Sequence, residues 1–176
     1  SFVVDSNTRA RFDFDILAGN RVLLAFIGSA SHAFGRRLRD DLLALQPELT
    51  MRCVRIGVVS ADPADRDAET LATVVPPSIV FWDTERSVHR LYDLESPPRE
   101  PAGRSPLRVG AVLMGENRRF RCFVPAQPLD TFAARVREAV DALPALVPGR
   151  QARPHAPVLQ VPDVFAPDLC RRLIEF

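Results

Sequence analysis

A three-layer α/β domain, with helices on both faces of a mixed central sheet, is the fold class that the sequence predicts. Three observations carry it. Arg21 to Ile27 is a nearly continuous apolar run of strand length, the mark of a strand covered on both faces. Similar runs then alternate with amphipathic stretches, which is the pattern of strand–helix–strand units. The alternation ends in two adjoining strand-like runs and a closing helix, so one pair of neighbours is antiparallel.

The elements follow in order. After the first run, Gly28 to Ser31 breaks the strand, and Ala33 to Leu45 predicts a helix: Phe34, Leu38, Leu42 and Leu45 recur at three and four, with Arg36, Arg37, Arg39 and Asp40 on the wet side. Pro47 is expected to end it. Met51 to Ser60 predicts a second buried strand, with Val54, Ile56, Val58 and Val59 β-branched and Cys53 inside it. Asp62 then serves as N-cap and Pro63 as first residue of a second helix. Pro76-Pro77 interrupts, Ile79 to Trp82 is a short third strand, and Asp83-Thr84 caps a helix carrying Val88, Leu91 and Tyr92. Leu94 to Pro106 is rich in Pro, Arg and Glu and reads as an exposed loop.

Leu107 to Met114, Gly115-Glu116-Asn117 and Arg118 to Val124 predict a hairpin. Leu129 to Leu143 predicts an amphipathic helix with Phe132, Val136, Val140 and Leu143 on one face. Three segments result: a domain over 1–143, a proline-rich linker over 144–157, and the start of a further domain over 158–176. In the last, Val158 to Val161 reads as a strand and Asp163 to Ile174 as the beginning of a helix.

Composition narrows the function. Of 176 residues, 47% are apolar, enough for a core and unlike a disordered chain. A net charge of +1 gives no electrostatic lure for nucleic acid or an anionic membrane, and the short Arg36–Arg39 and Arg118–Arg121 clusters read as solvated faces. All 23 basic residues are Arg, which excludes a P-loop, Schiff-base or general-base lysine. No apolar run approaches the roughly 20 residues of a membrane span. The chain opens at Ser1 with neither Met nor a signal-like segment, so it is expected to be a piece of a longer protein. Cys53, Cys122 and Cys170 are far apart and form no paired motif; neither a disulfide framework nor a metal cluster is expected, and a reducing cytoplasm is the default compartment. His32, His89 and His155 have no ligand spacing.

The strands Val22–Ile27 and Cys53–Ser60, the phrase Val59-Ser60-Ala61-Asp62-Pro63, and a hairpin closed by a helix together resemble the peroxiredoxin branch of the thioredoxin fold. The resemblance, to the alkyl-hydroperoxide-reductase and thiol-specific-antioxidant family, covers about residues 10 to 143. It implies a thioredoxin-like α/β/α sandwich and places the family's peroxidatic segment at Phe26 to Ala33. That segment carries a nucleophilic Cys at a helix N-terminus, where the helix end and a nearby Arg favour the thiolate. The thiolate attacks the peroxide O–O bond and becomes a sulfenic acid. Here no Cys lies between Ser1 and Arg52, and Ser29, Ser31 and His32 fill the segment. None can be oxidised reversibly in that way, and a serine nucleophile would need a base and an oxyanion hole for acyl transfer instead. Ser31 and His32, adjacent in sequence, lack a third partner. Arg108 corresponds to the Arg the family keeps near the start of a late strand, although a surface Arg at a strand start fits equally. Met114 stands where the family usually has Asp, and Pro106 matches a proline that is cis in some relatives. Cys53 and Cys122 are the alternative thiols, expected to be buried strand residues behaving as small hydrophobes. Whether the fragment is an enzyme is open on this reading, and a non-catalytic role is favoured.

The tail carries a second resemblance. His155 to Phe176, with its Pro167-Asp168-Leu169-Cys170-Arg171-Arg172-Leu173-Ile174 run after a short strand, is similar to the opening of a 2-oxoglutarate/Fe(II) dioxygenase of the prolyl-hydroxylase type. Such enzymes hold iron by two histidines and a carboxylate. The resemblance implies Fe(II) and 2-oxoglutarate as cofactors of the downstream domain, bound beyond Phe176, with no metal or cofactor residue in this fragment. The expected role is docking or dimerisation at the N-terminus of that oxygenase. The expected partners are the oxygenase domain of the same chain or a second copy. The alternatives are an active thiol-dependent redoxin using Cys53 or Cys122 and a stand-alone interaction module.

Overall fold

The structure, a computed structural model, describes residues 2–68, 70, 71, 74, 76–97 and 105–145. The chain divides into two compact units, Ser1–Leu143 and Pro144–Phe176. The Leu146–Phe176 stretch, with most of the expected linker and the whole expected oxygenase start including His155 and Cys170, lies outside the described residues, as do 98–104 of the loop.

The first unit is a three-layer α/β/α sandwich of the thioredoxin type. Its strands are β1 (Val3–Ser6), β2 (Phe12–Asp13), β3 (Arg21–Gly28), β4 (Val54–Ser60), β5 (Ile79–Trp82), β6 (Gly110–Met114) and β7 (Phe120–Pro125). They form a seven-stranded sheet in the order β2-β1-β5-β4-β3-β6-β7. β3, β4 and β5 run parallel, whereas β6 is antiparallel to β3 and β7 to β6. β3 is buried from Arg21 to Ile27 because strands flank it on both sides and apolar layers cover both faces, as its continuous apolar run requires.

Each face buries its own cluster. One holds Leu23, Ala25 and Ile27 of β3 against Leu38, Leu42, Leu45 and Leu49 of α1 (Ala33–Met51) and Phe132, Val136 and Val140 of α4 (Phe132–Asp141). The other holds Leu24, Phe26 and Phe81 against Phe12, Phe14 and Leu17, with Val88 of α3 (Ser87–Leu91). The fourth helix, α2 (Pro63–Asp67), follows β4 as its Asp62 cap and Pro63 dictate, with Asp62 accepting a hydrogen bond from the Ala64 amide at 3.0 Å.

Several expectations are corrected. Pro47 does not end α1: the helix runs on to Met51, because Leu49 continues the stripe of Leu38, Leu42 and Leu45 and its burial offsets the hydrogen bond a proline removes. The second strand therefore starts at Val54 rather than Met51. Cys53 is neither buried nor in a strand; it is exposed, just past the end of α1, in the left-handed conformation at φ 57° that usually falls to glycine. The late strand starts at Gly110 rather than Leu107, since Leu107 bridges Glu95 and the Arg108 amide donates to the Leu94 carbonyl at 2.8 Å. β1, β2 and the 3-10 turn Phe14–Leu17 were not legible: their apolar runs, such as Phe2-Val3-Val4 and Ile16-Leu17, are too short to show a period, and β1 is fixed by pairing Asp5 with Trp82 and Ser6 with Phe81 across the sheet.

The cis peptide bonds described precede Pro77 and Pro128, not Pro106. No helix among the described residues is long and apolar enough to cross a membrane.

Candidate functional site

The chain ends of β3 and β4 lie side by side because the two strands are parallel neighbours, with Gly28 opposite Ser60. Crevices beyond the carboxyl ends of parallel strands are the usual binding place of open α/β sheets. Here the crevice is a groove of about 340 Å³ whose walls include Gly28, Ser29, His32, Phe34, Asp62 and Arg86. It lies on the segment that the sequence singles out.

The β3–α1 loop is built by close approach. Gly28 turns the chain at φ 73° as β3 ends. Gly35, in the first turn of α1, lets the helix pass directly against the loop: a Cβ there would sit 1.9 Å from the Ser29 carbonyl oxygen. His32 is the N-cap of α1 by backbone only; its carbonyl accepts the Arg36 amide at 3.0 Å, and its side chain makes no capping bond.

Two carboxylates from the β4–α2 side hold the loop. Ser29 Oγ donates to Asp62 Oδ2 at 2.6 Å and accepts the Ser31 amide at 3.0 Å. Asp65 is fully buried, and its Oδ2 accepts the Ala30 amide at 2.7 Å and the Ser60 hydroxyl at 2.6 Å. Its Oδ1 accepts the Ser31 hydroxyl at 2.9 Å and lies 3.1 Å from Thr70 Oγ1. On the outer side Arg36 Nη1 donates to the Ser31 carbonyl at 2.6 Å. Both loop hydroxyls are thus donors to aspartates, and the described hydrogen bonds include none from either to the His32 ring.

The structure brings together Ser29 and His32 in the groove, with Ser31 turned to Asp65 behind it. Arg108 is elsewhere. Its guanidinium lies 5.0 Å from the centroid of the Phe123 ring, in the adjoining hollow walled by Phe34, Val109 and Gln127. The arginine that does reach the groove is Arg86, and its Nη1 is already spent on Glu95 at 3.1 Å and the Ser105 carbonyl at 2.9 Å. Cys122 is half-buried on β7, and burial pushes its thiol up from the ordinary value, away from the thiolate. Cys53 sits at the carbonyl end of α1, not at a helix N-terminus.

Sequence reading reaches Asp62 as a cap but misses Asp65, Ser60 and Arg86. The available signal was the pair of aspartates just after a buried strand; their contact with residues some 30 positions earlier follows only once β3 and β4 are neighbours. A further pair also went unread. Asp83 Oδ2 lies 2.7 Å from His89 Nδ1, both side chains fully buried, and Asp83 also accepts the Val88 and His89 amides and the Ser87 hydroxyl. Burial pushes the Asp83 carboxyl up, but the hydrogen bonds from His89 and the two amides outweigh it and hold the group below the ordinary value. Among the described residues no three His, Cys, Asp or Glu side chains gather to hold a metal ion.

No family model matches the chain, and no curated protein matches it. Solved structures do. Peroxiredoxin Q of Xanthomonas campestris superposes with a TM-score of 0.70 at 15% identity, over 80% of this chain and 90% of that one. Peroxidoxin BcpB of Mycobacterium tuberculosis gives a TM-score of 0.69 at 15% identity, over 82% and 94%. A mutant PrxQ of Xylella fastidiosa gives 0.69 at 11% identity, over 81% and 89%. At such identities the likeness is one of fold.

Proposed function

We propose that this chain is a peroxiredoxin-like thioredoxin-fold domain without peroxidatic chemistry, serving as a docking or dimerisation domain at the N-terminus of a 2-oxoglutarate/Fe(II)-dependent dioxygenase. One observation carries the first half. The loop after β3 offers Ser29, Ala30, Ser31 and His32, and its hydroxyls are donors to Asp62 and Asp65. Peroxide reduction needs a thiolate that can become a sulfenic acid and be regenerated; a hydroxyl hydrogen-bonded to a carboxylate offers no such oxidation. Asp62 and Asp65, both on the β4–α2 side of the loop, also oppose an anion there by like-charge repulsion.

The second half rests on the tail. Its Pro167 to Ile174 run is similar to the start of a prolyl-hydroxylase-type oxygenase, whose iron and 2-oxoglutarate would be held by residues past Phe176. The partner class is then the oxygenase domain of the same chain or a second copy. A reducing cytoplasm suits three cysteines without a pairing pattern.

The exposure of Cys53 favours one second reading, a thiol-dependent redoxin using Cys53 or Cys122. Peroxide consumption by the chain with a dithiol reductant separates the two: it is expected to match the reductant alone and to be unchanged by Cys53→Ser or Cys122→Ser. Consumption abolished by either substitution would establish the redoxin. Downstream sequence with neither a His-x-Asp pair nor a later His would overturn the oxygenase assignment.

A further inference from the structure

We infer that the hollow beside Arg108 is a binding site for a small apolar monocarboxylate, whose carboxyl group the guanidinium receives and whose apolar part the walls cover. The inference goes beyond the proposed function and stands on packing and charge. Phe123 of β7 lies across Gly110 of β6: a Cβ at Gly110 would sit 2.6 Å from the Phe123 ring, so the glycine gives the ring its place. The Arg108 guanidinium lies over that ring, 5.0 Å from its centroid. The backbone that carries Arg108 is pinned on both sides. Its own amide donates to the Leu94 carbonyl at 2.8 Å, and the Val109 carbonyl accepts the Ala126 amide at 3.0 Å.

A guanidinium engaged through its face with an aromatic ring keeps its N–H donors in its own plane, where they can grip a carboxylate at two points. Among the described residues no carboxylate lies within 4.0 Å of Arg108 to take that place. Glu95, whose backbone bridges Leu107, is already held by Arg86 at 3.1 Å and Arg90 at 3.3 Å. The hollow measures about 370 Å³, enough for a small organic ligand, and half-buried Phe34, Leu107 and Val109 give it apolar walls. Gln127 adds a side-chain amide at the rim. One cation beside apolar walls suits a single negative charge; among the described wall residues a phosphate dianion finds no second cation. Ser29, Ser31 and His32 are not among those wall residues, so the site is separate from the segment after β3. The groove on that segment shares Phe34, Leu107 and Val109 with the hollow, and Asp62 walls the groove alone. Its charge repels the ligand's own and so directs the carboxylate towards Arg108.

The probe is 3-phenylpropionate, titrated into the 176-residue chain at neutral pH and followed by two-dimensional amide NMR. Its dissociation constant is expected on the order of 1 mM, as suits a ligand of so few atoms, with shifts concentrated in 107–110 and 123–127. 3-Phenylpropan-1-ol keeps the ring and lacks the charge, and is expected to bind about tenfold more weakly. Arg108→Gln, at an exposed position, should weaken the acid by about tenfold and leave the alcohol unchanged. Phe123→Leu keeps the arginine but removes the ring beneath it, and should weaken the acid by about threefold. If that variant does not fold, Arg108→Gln alone decides. Equal binding of acid and alcohol, affinity indifferent to Arg108→Gln, or shifts confined to 29–32 would each overturn the site. So would the absence of any shift at about ten times the expected constant. Neither peroxide nor an oxygenase enters the titration, so its failure is distinct from a failure of the proposed function.

Discussion

Ser29 Oγ donates to Asp62 Oδ2 at 2.6 Å and so joins the turn after β3 to the turn after β4, 33 positions away in the chain. The turn after β3 is also tied to α2, through Ser31 and Asp65. Where peroxide chemistry would need an exposed thiolate facing free donors, this loop has hydroxyls already committed to carboxylates.

The close approach of α1 to that loop gives the first prediction. Gly35→Ala would place a methyl 1.9 Å from the Ser29 carbonyl, so loop or helix must move. Unfolding in urea should show a loss of about 1–3 kcal/mol, the usual cost of overpacking. An unchanged midpoint would mean that the contact is not present in solution.

The Asp83–His89 pair gives the second. Asp83→Ala leaves His89 Nδ1 and the Val88 and His89 amides without their acceptor in a buried place. The expected loss is about 3 kcal/mol, as for breaking a buried pair by removing one partner. A loss under about 1 kcal/mol would show that water replaces the carboxylate.

The same carboxylate sets a pH dependence. Its folded pKa lies below the ordinary value, so its stabilising contribution is fully present above the unfolded value of 3.8 and is lost as the pH falls through the folded one. Stability of the parent chain should therefore fall more steeply below about pH 4 than that of Asp83→Asn, measured by urea unfolding from pH 6 to pH 2. Parallel curves would contradict it.

Much of the fold was legible because it rests on local patterns: the apolar run of β3, the stripe of α1 and the face of α4. What was not legible depends on distant partners. β1 holds its place through the Asp5–Trp82 and Ser6–Phe81 pairing. α1 passes Pro47 because Leu49 has a core to enter. Cys53 is exposed as a consequence, since the longer helix moves it from a strand to a helix terminus. In the site, Ser29, Ser31 and His32 were read from one segment, but their partners Asp62 and Asp65 come from another, and only the parallel pairing of β3 with β4 brings the two together.

The thiols differ in a way that labelling can read. Cys53 is exposed, while burial pushes the half-buried Cys122 thiol up. Under native conditions at neutral pH, iodoacetamide should modify Cys53 faster than Cys122 by on the order of tenfold or more, followed by peptide mass spectrometry. Equal rates would mean that β7 opens readily.

The most direct measurement is hydrogen peroxide consumption by the chain with a dithiol reductant, followed by mass spectrometry of its cysteines. No consumption above the reductant alone, with every cysteine still reduced, is the predicted result. Turnover accompanied by a sulfenic acid or disulfide at Cys53 or Cys122 would contradict it and make the domain a working redoxin.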